Sequence, residues 1–221
     1  LSRLHPVPTV GEAVTLIGLI FMGIFYASVW LHGQPLLLQI HLTQWGLLGF
    51  PTVVLVLGLR LDVRQTLVLR SPGFMGLASG CLIGAGTWYA ASLLAQALAG
   101  DVLPMPGPQL QALVDELMRL GRDPATAPWL FLGAALAPAL CEEFLFRGVL
   151  LSSLRRVLSD RSALVISSSA FALMHMNIHQ LPTTLVVGVL LGLLVIRTRS
   201  IWPAVCLHAL HNGLALAVQL H

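Results

Sequence analysis

Three formal charges lie close together in an otherwise apolar run of this chain. The run extends from Pro138 to Arg147, and its charged members are Glu142, Glu143 and Arg147. An ionisable side chain at the centre of a bilayer costs at least about 2.5 to 3.5 kcal/mol, so these groups must be paired, hydrated or used. Residues four apart share a helix face, so Glu143 can pair with Arg147 and leave Glu142 available for chemistry. Pro138, one turn earlier, is expected to kink this helix.

Two later apolar segments carry pairs at the same spacing, Phe171 with His175 and His208 with Asn212. Measured along the helices from the nearest loop arginines, Glu142, His175 and Asn212 each lie roughly 20 Å away at about 1.5 Å per residue. The three segments can therefore bring their polar groups to one depth. Carboxylate, imidazole and amide groups together suit the activation of water and the stabilisation of an oxyanion.

The composition predicts an integral membrane protein. Hydrophobic residues make up 57% of the 221 residues and charged residues only 10%, with a mean hydropathy of +0.86. Soluble domains are about 25% charged. We therefore predict an all-α, polytopic transmembrane helix bundle of about seven to eight spans, forming a single membrane domain over residues 1–221. The sequence has no basic run, so no nucleic-acid partner is expected.

Seven apolar runs give the predicted spans. They are Val10–Leu31, Leu42–Leu59, Gly73–Ala99, Trp129–Leu154, Ala163–Met176, Leu181–Ile196 and Ile201–Leu220. The longest loop, Gly100 to Pro128, has leucines at helical spacing and predicts a short amphipathic helix on the outer interface. Glycines at four-residue spacing in the third and sixth spans indicate close helix packing. Because the sequence starts at Leu1 and not at a methionine, we expect a fragment, a processed form or a trimmed form.

Arginine positions indicate the orientation of the spans. All 12 basic residues are arginine, and nine of them precede span one or fall in the loops after spans two, four and six. These nine are Arg3, Arg60, Arg64, Arg70, Arg155, Arg156, Arg161, Arg197 and Arg199. Because cytoplasmic loops collect arginine, we predict a cytoplasmic N-terminus. The absence of lysine and the richness in Arg, Ala and Leu suggest a high-GC bacterium, so we expect a multi-pass protein of the bacterial inner (plasma) membrane.

The three polar motifs, taken in order, resemble those of the CAAX protease and bacteriocin-processing family, also called the Abi family, of intramembrane glutamate peptidases. One branch of this family is the type II CAAX prenyl endopeptidase, or Ras-converting enzyme. The motifs are Glu-Glu-x-x-x-Arg at 142–147, Phe-x-x-x-His at 171–175 and His-x-x-x-Asn at 208–212. The resemblance covers about residues 129–220, which form the motif-bearing core.

The resemblance implies hydrolysis of a peptide bond by a glutamate-activated water, without a covalent intermediate, a metal or another cofactor. Carried over by motif, Glu142 would be the general base and His175 would help to hold the water. His208 and Asn212 would donate hydrogen bonds to the oxyanion. The supporting residues would be Glu143, Arg147 and Phe171. The implied partners are the lipid bilayer and a peptide or membrane-protein substrate, lipidated or not, and the implied cavity opens on the cytoplasmic side.

Each motif also has a structural interpretation. The acid–arginine pair alone fits a buried ion pair, and a lone His175 fits a satisfied core histidine. His208 and Asn212 would then only join helices by hydrogen bonds. His211, between them, is interpreted as an accessory or structural residue.

Two other functions stay open at this stage. Glu142, His175 and His208 could instead be ligands of a zinc ion, although the sequence lacks His-Glu-x-x-His. The chain could also be a non-catalytic membrane immunity, scaffold or transport-associated protein that keeps the pocket. If it is an enzyme, a bacterial peptide or membrane protein is favoured as substrate over a prenylated protein.

Overall fold

The apolar runs of the sequence form helices in the structure, a computed structural model that describes residues 6–98, 108–177 and 180–219. Counting each continuous helical run once, these residues form nine helices and no β-strand, which confirms the all-α prediction. The helices are α1 (Val10–Leu31), α2 (Leu36–Gly58), α3 (Val63–Thr66), α4 (Gly73–Leu98), α5 (Pro108–Arg122), α6 (Ala127–Leu154), α7 (Asp160–Met174), α8 (Leu181–Thr198) and α9 (Trp202–Gln219). Arg3, Asp101, His179 and His221, and the ends of the third and seventh predicted spans, lie outside the described residues.

Each predicted span corresponds to one long helix. Among the described residues, α1, α2, α6 and α8 are long and apolar enough to cross a membrane, and α9 contains a shorter apolar helix, Trp202–Val218. The count of seven spans stays a prediction. The predicted start of the second span at Leu42 is wrong, because α2 begins at Leu36, directly after Pro35. Gln39 and His41 interrupt the apolar run there, so hydropathy alone does not reveal the first turns.

Helix α6 is the centre of the bundle. In its most apolar stretch 61% of the residues are buried, against 17% in the corresponding stretches of α1 and α2. Two parts of α6, Leu132–Leu136 and Phe144–Leu150, are wide π-helical turns. Such turns are rare and occur frequently at functional sites. Pro138 lies two residues after the end of the first, so the irregularity expected at this proline takes the form of a wide turn.

Glycines allow α4 and α9 to pack closely. A Cβ at Gly80 would collide with the backbone of Pro203, and one at Gly84 would lie 2.7 Å from the Leu207 carbonyl oxygen. On α8, a Cβ at Gly188 would lie 3.2 Å from the Phe171 ring. The contacts of Gly80 and Gly84 fix α9, which carries His208 and Asn212, against α4.

Helix α5 is amphipathic, as the leucine spacing predicts. Leu120 is buried with Leu130 and Leu216, and Leu117 packs against the same small cluster. This cluster joins α5 to the start of α6 and to the far end of α9. Glu116 and Arg119, also on α5, form an ion pair at 2.6 Å in contact with water.

The loop arginines meet at one end of the bundle. A cavity of about 340 Å³ is lined by Arg64, Arg70, Arg155 and Arg199, which come from α3 and three different connections. Only Arg155 is paired there with a carboxylate in the described residues, that of Asp160 at 2.8 Å. We call this end of the bundle the arginine end.

Closing the space at Gly80 should destabilise the fold, because a larger side chain must separate two helix backbones. We expect Gly80→Val to lower the free energy of unfolding by about 1 to 3 kcal/mol, the usual effect of overpacking. Thermal unfolding of the purified protein in detergent measures this. The matched control is Gly86→Ala on the same helix, where a Cβ meets no atom within 4 Å. Equal stability of the two variants would contradict the close-packing account.

Candidate active site

Glu142 lies in the interior of the bundle with only 8% of its surface exposed. Its Oε1 accepts a hydrogen bond from Gln44 Nε2 on α2 at 3.0 Å. Its Oε2 has no hydrogen-bond partner in the part of the chain that the structure describes. Glu142 therefore has one oxygen fixed by the protein and one able to bind another group.

Glu143 and Arg147 form the ion pair that their spacing predicts. Arg147 Nη1 donates to Glu143 Oε1 at 3.2 Å, and both side chains are fully buried. Arg147 Nη2 donates to the Gly188 carbonyl oxygen on α8 at 3.0 Å. His208 on α9 donates from Nδ1 to the same Glu143 oxygen at 2.9 Å. One buried acid–base pair therefore connects α6 with both α8 and α9.

Phe171 fills the space between these groups. Its ring lies beneath the Arg147 guanidinium, with 4.3 Å from the guanidinium carbon to the ring centre. The rings of His175 and His208 meet it edge to face, with centres 4.9 Å and 5.8 Å away. The contact with Arg147 is a buried cation–π interaction, and the ring contacts restrict the orientations of both imidazoles.

The hydrogen bonds of the two histidines determine which ring nitrogen carries a proton. His175 Nδ1 lies 2.9 Å from the Phe171 carbonyl oxygen, and His208 Nδ1 lies 2.9 Å from Glu143 Oε1. Carbonyl and carboxylate oxygens accept, so each Nδ1 carries hydrogen. Nε2 is then the free nitrogen of each ring, and it is an acceptor when the imidazole is neutral.

The four predicted catalytic residues line one cavity of about 670 Å³. They are Glu142, His175, His208 and Asn212. His208 Nε2 lies 3.9 Å from Glu142 Oε2, too far for a direct hydrogen bond. The three predicted supporting residues surround the cavity without lining it.

Sequence reasoning missed Gln44, which contacts Glu142 directly. The signal is weak: a single amide in an apolar helix, within the π-helical turns Leu42–Gly49. Trp88 and Ser92 on α4 also line the cavity, although the three motifs involve no residue of that helix. His211 lines the cavity too, and its Nδ1 lies 3.4 Å from the Thr87 hydroxyl, so the structure ties it to α4.

The described residues do not favour a zinc centre. No group of three or more His, Cys, Asp or Glu side chains among them has the spacing needed to hold a metal ion. Glu142 and His208 approach each other, but no third such side chain completes the set. Loss of peptidase activity to a chelator, with recovery on adding zinc, would restore the zinc interpretation.

Comparison with known proteins supports the motif assignment. Residues 124–214 match the family model described as type II CAAX prenyl endopeptidase Rce1-like. By this segment, the chain is similar to the CAAX protease family. It is also 23% identical over 184 residues to a Bacillus subtilis (strain 168) protein named "Putative membrane peptidase YdiL", covering 80% of this chain and 71% of that protein. No solved structure gives a significant match.

The CAAX protease family match is confined to the part of the chain that carries the site. It includes all of α6, α7 and α8 and most of α9, whereas Gln44 and the cavity residues of α4 lie outside it. The family and the apolar helices together support a membrane protease.

Removing Glu143 should reveal how strongly the buried network stabilises this site. We expect Glu143→Ala to lower the free energy of unfolding by about 3 to 5 kcal/mol, because the Arg147 charge stays buried without its partner. The double variant Glu143→Leu with Arg147→Met should be more stable than the single variant, since no lone charge remains. Thermal unfolding in detergent measures both.

The exposed pair on α5 provides the control for this test. Glu116→Ala removes the carboxylate from an ion pair of similar spacing in contact with water, so we expect little change in stability. If Glu143→Ala were as stable as Glu116→Ala, the buried pair would not hold the site together.

Proposed function

We propose that this chain is an intramembrane endopeptidase in which Glu142 activates the water that attacks a peptide bond. One observation carries the proposal: Glu142, His175, His208 and Asn212 line a single cavity in which Glu142 Oε2 has no hydrogen-bond partner among the described residues. The cavity volume of about 670 Å³ falls within the roughly 300 to 1,000 Å³ of ligand-binding pockets.

The attacking water would bind to Glu142 Oε2. Gln44 holds the other oxygen, so the carboxylate is fixed in orientation before the substrate enters. The gap of 3.9 Å between Glu142 Oε2 and His208 Nε2 can be bridged by one water. His175, which directly follows α7 and lines the same cavity, would hold this water with its Nε2.

In the chemical step, the water oxygen attacks the carbonyl carbon of the scissile bond, and Glu142 takes a proton from the water. The C=O π electrons move to oxygen and form a tetrahedral oxyanion. Transfer of the proton from Glu142 to the amide nitrogen then allows the C–N bond to break. The products are a carboxylic acid and an amine, and Glu142 is again a carboxylate.

The oxyanion would be stabilised by Asn212 and His208. The amide NH₂ of Asn212 donates whatever the pH. His208 already uses Nδ1–H for Glu143, so its Nε2 can donate to an oxyanion only when the ring is an imidazolium. His208 would therefore act as an oxyanion donor in its imidazolium form.

The setting of this reaction is also a proposal. The distribution of arginines supports a bacterial inner membrane protein with a cytoplasmic N-terminus. The substrate would be a peptide or a membrane protein that reaches the cavity from the bilayer or its surface.

Replacing the base should stop turnover without changing the shape of the site. We expect Glu142→Gln to lower kcat at least about 100-fold, the lower range for loss of a general base. The assay follows cleavage of a degenerate library of internally quenched peptides by protein in detergent micelles. Glu116→Gln makes the same substitution on the exposed face of α5 and should leave activity unchanged. Undiminished cleavage by folded Glu142→Gln protein would refute the role of Glu142.

Asn212→Ala should mainly weaken the stabilisation of the transition state. Loss of one oxyanion donor lowers kcat by about 100- to 1,000-fold, and we expect little change in KM. The same peptide assay separates the two constants. Ser79→Ala is the control, because the Ser79 hydroxyl bonds only to the Gly76 carbonyl on its own helix among the described residues. A rise in KM with normal kcat would instead assign Asn212 to substrate binding.

A further inference from the structure

The cavity that contains Glu142 extends toward only one end of the bundle. On α9 its lining continues from His208 through Asn212 and Ala215 to Val218. Val218 lies about 15 Å beyond His208 along the helix at 1.5 Å per residue. Its side chain is 56% exposed, so the lining passes from the buried site to the surface of the bundle.

The cavity-lining residues of α8 and α4 indicate the same direction for the opening. On α8, Thr184 is the cavity-lining residue nearest to the arginine end, and it lies about 20 Å from Arg197. From Thr184 the lining continues away from Arg197 to Gln180. On α4, Trp88 and Ser92 line the cavity about 22 and 28 Å from the start of the helix at Gly73. All three helices therefore place the mouth at the end opposite the arginine end.

The arginine content of the two ends identifies their sides of the membrane. Among the described residues, eight arginines lie in the connections and helix ends of the arginine end, whereas the other end has only Arg119 and Arg122, both on α5. That other end also carries Asp115, Glu116 and Asp123. An excess of arginine marks the cytoplasmic side. The cavity mouth is then on the translocated side of the membrane.

The chemistry of the mouth suits a peptide backbone. Its polar side chains are the hydroxyls of Ser92, Thr183 and Thr184 and the amide of Gln180. Among the described residues that line the cavity, none is Arg, Lys or Asp, and Glu142 at the inner end is the only glutamate. Neutral donors and acceptors of this kind can bind an extended peptide without requiring charged side chains on it.

We infer that the active-site cavity admits its substrate from the extracytoplasmic side. The substrate is an extended segment of an exported peptide or of the translocated end of a membrane protein, and its binding requires no charged side chain. This rests on the proposed peptidase function and differs from the cytoplasmic opening that the family resemblance implies. A lipidated C-terminus exposed in the cytoplasm would be on the wrong side of the membrane to enter.

Cysteine labelling tests the side of the opening. In a background with Cys81→Ala, Cys141→Ala and Cys206→Ala, single cysteines are introduced as Val218→Cys at the mouth and Ala215→Cys deeper inside. The control is Val157→Cys, a 67% exposed position in the α6–α7 connection at the arginine end. Bacterial spheroplasts producing each variant are treated with a membrane-impermeant maleimide before and after permeabilisation. Thermal unfolding confirms that each variant folds.

The inference predicts at least tenfold more labelling of Val218→Cys and Ala215→Cys than of Val157→Cys in intact spheroplasts. It also predicts that Val157→Cys reacts fully only after permeabilisation. The reverse pattern would place the mouth in the cytoplasm and overturn the inference. Labelling of neither cavity position from outside would overturn it as well.

Cleavage assays separate this inference from the proposed function. Labelling of the mouth does not depend on turnover, whereas hydrolysis of the quenched peptide library depends on Glu142. If peptides are cleaved but the mouth reacts only from the cytoplasm, the peptidase proposal stands and the side of entry is wrong. If the mouth reacts from outside but Glu142→Gln does not change peptide cleavage, the side of the opening is correct and the peptidase proposal is wrong. In that case no substrate class follows from the opening.

For an active protein, the cleavage sites are found by comparing newly formed protein N-termini in membranes of cells that produce the wild type or Glu142→Gln. The inferred substrate class predicts Glu142-dependent sites in translocated segments. Sites confined to cytoplasmic segments would contradict it.

Discussion

The guanidinium of Arg147 is fully buried in the middle of an apolar helix, and the rest of the site depends on how its charge is satisfied. Its hydrogen bonds to Glu143 and to the Gly188 carbonyl hold α6 against α8, and the Phe171 ring packs against its face. Glu143 in turn accepts from His208 and so fixes α9. A buried charge without these partners would cost several kcal/mol, so the helices cannot separate or rotate independently. The positions of the imidazoles follow from this single constraint.

The two adjacent glutamates have different environments because a helix turns about 100° per residue. Glu143 pairs with Arg147 and is fully buried, whereas Glu142 is slightly exposed and lines the cavity. Gln44 restrains one oxygen of Glu142 from α2. Wide turns in α2 and α6 lie beside these groups, and an extra residue in a helical turn changes the direction of the side chains that follow it. The protein thus keeps the Glu142 carboxylate inside an apolar bundle without pairing it to an arginine among the described residues.

Close packing is concentrated on the helices that carry the site. Gly80 and Gly84 bring α4 against α9, and Gly188 leaves room for the Phe171 ring. On the side of the site away from the arginine end, polar side chains of α4, α8 and α9 leave an open cavity. The bundle is therefore tightly packed where it orients His208 and more open where a peptide would enter.

The sequence by itself determined the helical class, the pairing of Glu143 with Arg147 and the four residues that share the cavity. These depend on hydropathy and on four-residue spacing, which are properties of a single helix. Only the tertiary structure decided that Gln44 holds Glu142, that His208 donates to Glu143, and that the cavity opens away from the arginines. Those features join helices that are distant in the sequence, and helical periodicity gives neither the rotation of one helix against another nor the position of a wide turn. The start of α2 belongs with them, because Pro35 and not the apolar run sets where that helix begins.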